Sequence, residues 1–299
     1  MLKTGPAAGI FWMCMATLFS SVSGAMVREL AGEIPTFELV FFRNLIAMLV
    51  LIPIVRRQGV GLPDRSQLPV YALRILFALF AMLFLFYALA RMPLADVYAL
   101  QYTIPLFTIL LAVLFLKQKA DIHSWAAVFV GFVGTLIVMR PGIVEISLAA
   151  MGAIAAAFLS AGSNTTIKIL ARKDNPEAIT LWTNIGMLPL ALIPTLFIWV
   201  TPTAAQWPLI IGVGVISSIG GYCFTRAVSA ADARIVQPFQ FSRMIFATAI
   251  GWIMFSEFPD LWTWVGAAVI FSASYYIVYR EGRARKAARK NEQATDQRM

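Results

Sequence analysis

Ten apolar runs of about 20 residues, separated by gaps too short to hold a folded domain, constrain this chain more than any other feature. Each run has the length a helix needs to cross the roughly 30 Å hydrocarbon layer of a bilayer. The first five lie at about 7–27, 36–55, 70–90, 94–116 and 122–139. The second five lie at about 147–170, 178–200, 207–228, 234–256 and 261–279. Across 299 residues the chain is 60% apolar and only 13% charged. Water would not tolerate the apolar surface this implies, so the fold expected is all-α and integral to the membrane. The first run follows Lys3 and ends near Ser23-Gly24-Ala25, a pattern shared with cleavable leaders. Its length, and the repeat described below, favour a retained span.

The charges fall between the runs and in the last twenty residues. Lys and Arg number 24 against 15 Asp and Glu, a net +9 that in a soluble protein would suggest nucleic acid. Here the distribution reads as orientation instead, and no nucleic-acid partner is expected. Alternate gaps carry Arg56, Arg57, Arg65, Lys117, Lys119, Lys168, Arg172 and Lys173, whereas the opposite gaps carry only Arg28, Arg91 and Arg140. The positive-inside rule then places both termini in the cytoplasm, in a multi-pass protein of the cell (inner) membrane. The single histidine, His123, and two isolated cysteines, Cys14 and Cys223, provide neither a metal cluster nor a nucleophile–base pair. No catalytic residue, metal site or cofactor is expected, and no phosphate-binding Gly-rich motif is present for ATP-driven pumping.

Sliding the chain against itself by 139–140 residues aligns the two sets of five runs. Ser20 then meets Ser160, Arg28 meets Lys168, Asn44 meets Asn184, Pro69 meets Pro208, Gln101 meets Gln240 and Trp125 meets Trp264. The expected units are 1–142 and 143–280, each of five helices, followed by a basic cytoplasmic tail at 281–299. Because five is odd, the second unit enters the bilayer from the other side, giving two inverted five-helix repeats. Such antisymmetry provides two near-equivalent states open to opposite faces, which favours transport.

Several segments carry a resemblance. Phe41-Phe42-Arg43-Asn44-Leu45, Tyr87-Ala88-Leu89-Ala90-Arg91-Met92-Pro93-Leu94-Ala95-Asp96, Ile104-Pro105-Leu106-Phe107, Arg140-Pro141-Gly142 and Phe255-Ser256-Glu257 are of this kind. Through them the chain resembles the drug/metabolite transporter superfamily, specifically the EamA-type proteins, over about residues 7–280. It departs from that pattern at Lys117-Gln118, where the family tends to have Gly-Glu, while the second unit keeps Glu257. The resemblance implies a secondary carrier, often an exporter, of amino acids, nucleoside-like compounds, cofactors or drugs.

A polar side chain in a spanning helix is costly against lipid and points to protein or to a wet cavity. The fourth run carries such a stripe in Tyr98, Gln101 and Tyr102, and the ninth in Gln237, Gln240 and Arg243. Asn164, Tyr222 and the in-span Arg43 complete the candidate substrate-binding set. Small polar residues beside them are read as helix-packing positions. Arg74 lies near enough to a span end to snorkel, whereas Arg43 and Arg243 do not. Unless Glu38, Asp96 or backbone carbonyls pair with them, the cavity is electropositive. Arg28, near a helix C-terminus, is read as a dipole cap. The function expected is alternating-access transport of a small metabolite. The alternative is a membrane-embedded enzyme acting on a lipid or other amphipathic substrate. Expected partners are that small molecule and the bilayer, with a homodimer compatible with the sequence.

Overall fold

The computed structural model describes residues 5–57, 63–116, 122–140, 147–170, 173–174, 176–231 and 233–296. Its helices are α1 (Pro6–Leu30), α2 (Thr36–Arg57), α3 (Leu68–Leu89), α4 (Leu94–Gln101), α5 (Ile104–Leu116) and α6 (Ile122–Met139) in the first half. The second half holds α7 (Leu148–Leu170), α8 (Pro176–Phe197), α9 (Trp207–Ala230), α10 (Ala233–Val236), α11 (Ser242–Phe255) and α12 (Leu261–Asp296). Ten spans result. Two of them are interrupted: α4 and α5 make the fourth, and α10, a short 3-10 turn at Gln237–Phe241 and α11 make the ninth. Among the described residues, seven stretches are long and apolar enough to cross unaided, and Trp125–Met139 and Leu261–Ile277 are shorter apolar helices. The backbone of α12 continues into the basic segment as far as Asp296.

Local sequence sets the ends. Pro69 and Pro208, which the repeat aligns, open α3 and α9 in the first helical turn. A missing N–H costs nothing there and the ring presets the helical φ. Ser256 closes α11 in the left-handed region at φ 55°, with Ser256 N donating to Trp252 O and Glu257 N to Gly251 O, both at 3.1 Å.

Packing follows the two-fold relation between the halves. Helix α1 lies along α9 as α7 lies along α3, while α2 meets α8 and α6 meets α12 across the axis. Exchanging the halves carries the first two pairings into each other and each of the last two into itself. At the α6–α12 crossing the backbones approach closely, since a Cβ on Gly266 would lie 2.8 Å from Gly134 O. This is the small-residue contact by which helices associate when lipid supplies no hydrophobic drive. The outer faces are apolar: Phe129, Ile253 and Phe197 are 71%, 77% and 85% exposed, as lipid contact requires.

One continuous buried cluster, drawn from both halves, runs from Leu30, Leu89, Leu94 and Ile210 at the end away from the termini to Ala127 and Ile277 near the terminal end. Smaller clusters lie beside it at the terminal end. One joins Met13, Ala227 and Val236, and another joins Tyr71, Leu170 and Ile179.

Candidate substrate cavity

The two interrupted spans meet in the middle of the bundle, and their breaks have chemical causes. Pro105 has no N–H, so the carbonyl of Gln101 loses its helical donor and the chain tightens. Tyr102 N bonds to Ala99 O at 3.2 Å and Thr103 N to Leu100 O at 3.1 Å, both three residues back. In the ninth span Pro238 lies in the 3-10 turn. Side-chain hydroxyls then satisfy carbonyls at the breaks. Ser274 Oγ donates to Tyr102 O at 2.7 Å and Ser242 Oγ to Phe239 O at 2.6 Å. Thr17 Oγ1 lies 2.7 Å from Ser242 Oγ. Tyr102 Oη reaches across to the other break, 3.2 Å from Gln240 O and 3.4 Å from Phe241 O.

Around this crossing lies a cavity of about 730 Å³, drawing its wall from helices of both halves. A typical small-molecule pocket measures about 300–1,000 Å³. Of the nine predicted residues, Arg43, Tyr98, Gln101, Tyr102, Asn164, Gln240 and Arg243 line it. Gln101 is buried and its Nε2 donates to Ala153 O at 2.8 Å, which also ties α4 to α7. Tyr98 Oη donates to Ser20 O at 3.0 Å, and its ring lies 5.4 Å from the Arg243 guanidinium. Tyr102 and Phe271 form an aromatic wall at 5.8 Å, and Phe241 backs it, stacked on Tyr102 at 5.7 Å.

Two expectations are corrected or fall away. Tyr222 does not face the cavity: it is 53% exposed and packs edge-on against Trp12 at 6.3 Å. The wall of α9 is made instead by Ser217, Gly220, Gly221 and Phe224, at one-turn spacing. Tyr222, about 100° around the helix from Gly221, is turned outward. The side chain of Gln237 lies outside the described residues.

The cations sort themselves by partner. Arg74 does not snorkel. It is 8% exposed, with Nε on Thr183 Oγ1 at 2.8 Å and Nη1 on Ser163 O at 3.0 Å, joining α3 to α7 and α8. Arg28 forms a bidentate ion pair with Glu257, donates to Met92 O at 2.9 Å and covers the Phe255 ring at 4.6 Å. It is a cross-bundle tie, beyond the dipole cap read from its position. Arg140 pairs with Asp260 at the same end. Burial raises the Asp260 carboxyl, but the Thr263 N–H at 2.8 Å and Arg140 outweigh it and hold the group below its ordinary value. Arg43 donates to Asn44 Oδ1 at 3.1 Å and faces Met82 Sδ at 3.9 Å. Arg243 Nε is buried without a hydrogen-bond partner. Neither meets a carboxylate among the described residues. Glu38 Oε2 accepts from Val200 N at 3.2 Å, and Asp96 lies near Thr263 and Asp260.

Sequence reading missed the two helix breaks and the Arg28–Glu257 tie. Pro105 and Pro238 were the available signal for the first, while 229 residues separate the members of the second. No group of three or more potential metal ligands occurs among the described residues.

Known proteins give a consistent comparison. The profile of the EamA-like transporter family matches residues 7–140 and again 147–279. A riboflavin transporter of Vibrio cholerae serotype O1 is 28% identical over 285 residues, covering 94% of this chain and 96% of its own. An S-adenosylmethionine uptake transporter of Rickettsia bellii is 28% identical over 276 residues, covering 92% and 95%. A pseudopaline exporter of Pseudomonas aeruginosa (strain UCBPP-PA14) is 30% identical over 269 residues, covering 89% and 94%.

Proposed function

Since this chain belongs to the EamA-like transporter family, and so is a multi-pass membrane transporter of a small metabolite, we propose that the central cavity is its substrate site. One observation carries the reading: seven polar or aromatic residues singled out in sequence, from both halves, converge where two broken helices cross. Interrupted helices beside a mid-membrane site are how inverted-repeat carriers present polar groups to cargo, because irregular backbone is tolerated at that depth only beside protein or a cavity.

The direction proposed is export, across the inner membrane, with both termini in the cytoplasm. The basic gaps support the orientation. The Arg28–Glu257 and Arg140–Asp260 pairs lie at the end away from the termini and are better buried than the Lys173–Asp64 pair at the terminal end. A carrier tied more firmly outside than inside is poised to load from the cytoplasm. The relatives carry names for uptake as well as export, so the ion pairs at the two ends, and not kinship, support this direction.

The test has two stages. Metabolite profiles of medium from a deletion strain and its parent identify a compound depleted outside the mutant. Purified full-length protein in liposomes should then drive counterflow of that compound. Asn164→Ala is expected to weaken counterflow by tenfold or more, with unchanged amounts of protein in the liposomes. Unimpaired counterflow in Asn164→Ala and in Tyr102→Ala would remove the cavity as the site.

A further inference from the structure

The described arginines with side chains inside the bundle fall into two groups. Arg28 and Arg140 have carboxylate partners, and Arg74 has hydroxyl and carbonyl oxygens on its guanidinium. Arg43 and Arg243 are the exceptions, and both lie on the cavity wall. Arg43 meets an amide oxygen at 3.1 Å and a thioether sulfur at 3.9 Å. Arg243 meets the face of Tyr98 at 5.4 Å, with its buried Nε unpartnered. Among the described residues that line the cavity there is no Asp or Glu.

Depth closes the usual escape. At 1.5 Å per residue, Arg43 lies about 10 Å along α2 from its start, and Arg243 about 18 Å along α11 from its end. At such depths a side chain reaches interfacial water only with difficulty. Helix polarity adds to the effect. Arg243 is the second residue of α11, so it sits at the positive end of that helix dipole, where a cation is disfavoured and an anion is stabilised. A residue serving only structure would be expected at the other end of the helix, or beside an acid.

We infer that the cargo of this cavity is an organic anion, its carboxylate or phosphate held by Arg43 and Arg243 and its planar portion set against the Tyr102–Phe271 wall. Guanidinium groups suit both oxyanions through their forked N–H donors, and a partly desolvated site makes the attraction strong. This inference rests on the cavity being the substrate site, and it narrows the cargo to one charge class.

The test reads the cavity's field directly. In full-length protein with Cys14→Ser and Cys223→Ser, Ser160→Cys places a single thiol on the cavity wall. Its labelling by an anionic and by a cationic methanethiosulfonate of similar size is compared with that of a free thiol. The anionic reagent is expected to gain at least tenfold over the cationic one. Arg43→Gln and Arg243→Gln should each cut that gain, whereas Arg43→Lys and Arg243→Lys should keep it. The lysine variants also serve where a glutamine variant fails to fold. A ratio equal to that of the free thiol, or one unmoved by either glutamine substitution, overturns the inference. Protection by benzoate, phenyl phosphate and benzyl alcohol separates the sources. The first two are expected to protect, and their ratio distinguishes carboxylate from phosphate. Equal protection by the neutral alcohol overturns charge recognition. A flat reagent ratio with counterflow lost in Asn164→Ala rejects the anion but keeps the site. A steep ratio with counterflow indifferent to cavity substitutions rejects the site but keeps the field.

Discussion

The two halves of this carrier match in packing and differ in chemistry. Some positions that the repeat shares line the cavity, as Gln101 and Gln240 do, and others serve the scaffold. Asn44 and Asn184 are both buried, with Asn44 Nδ2 on its own helix at Val40 O, and Pro69 and Pro208 open equivalent helices. Positions that the repeat does not share carry the distinctive groups of the cavity and its seal. Tyr102 stands opposite Phe241, Arg43 falls beside Thr183, and Glu257 corresponds to Gln118, which lies outside the described residues. Symmetry supplies two related conformations, and the departures from it set what is bound and which state is favoured.

The sharpest break in that comparison is at the seal. Glu257 binds Arg28 through two charge-assisted hydrogen bonds, whereas the sequence offers Lys168 only a glutamine at the equivalent site. Glu257→Gln removes the charge from a part-buried pair and should cost the sealed state about 2 kcal/mol, or ~30-fold in the ratio of the two states. Val27 lines the cavity beneath the seal, so a Val27→Cys thiol reports opening through labelling by an impermeant maleimide from outside intact cells. Labelling is expected to accelerate in Glu257→Gln. Gln118→Glu offers Lys168 the missing carboxylate, which should tie the other end and speed the outside reaction further. Equal rates in all three proteins would mean that the ion pair does not bias the carrier.

A second test bears on how the first half holds a residue of the second. A Cβ at Gly24 would lie 2.1 Å from Tyr98 Oη, so Gly24→Ala must displace the tyrosine that bonds Ser20 O and underlies Arg243. Overpacking of this kind costs about 1–3 kcal/mol. Counterflow should fall about tenfold, and thermal stability should fall with it. Adding Tyr98→Phe removes the clashing oxygen and should restore part of the stability. Failure of that rescue would place the damage elsewhere on α1.

Much of this was legible in the sequence, for reasons that also explain what was not. Spans are visible because the bilayer demands apolar length, and the antisymmetric pairing follows from an odd count of spans per half. Seven cavity residues were legible because amides, phenols and guanidiniums inside spans must avoid lipid. Tyr222 was misplaced because a rule about polarity gives depth but not azimuth: one residue, about 100° on the helix, separates the wall at Gly221 from the outer surface. The breaks at Tyr102 and Gln240 escaped because hydropathy is blind to backbone bonding. The ties of Arg28 and Arg74 escaped because their partners lie far away in sequence.

Two smaller substitutions sharpen the contrast between the halves. Tyr102→Phe makes the two breaks alike and deletes a hydroxyl that donates to Gln240 O and Phe241 O, at 3.2 and 3.4 Å. The neutral, rather long contacts suggest about 1 kcal/mol, or a fivefold change in counterflow affinity at constant protein level. The smallest effect is expected at Ser256, where the second half keeps a side chain at φ 55° in the turn that presents Glu257 to Arg28. The left-handed region costs a non-glycine residue roughly 1–2 kcal/mol, and glycine returns part of this through greater freedom of the unfolded chain. Ser256→Gly should therefore stabilise the protein by about 0.5–1 kcal/mol, seen as a rise of a few degrees in its thermal transition in detergent. Because the turn positions the glutamate, a looser backbone there should also weaken the seal slightly. The Val27→Cys labelling rate should then rise while the melting temperature rises too. A drop in stability would show that the serine side chain contributes more to the turn than its backbone strain removes.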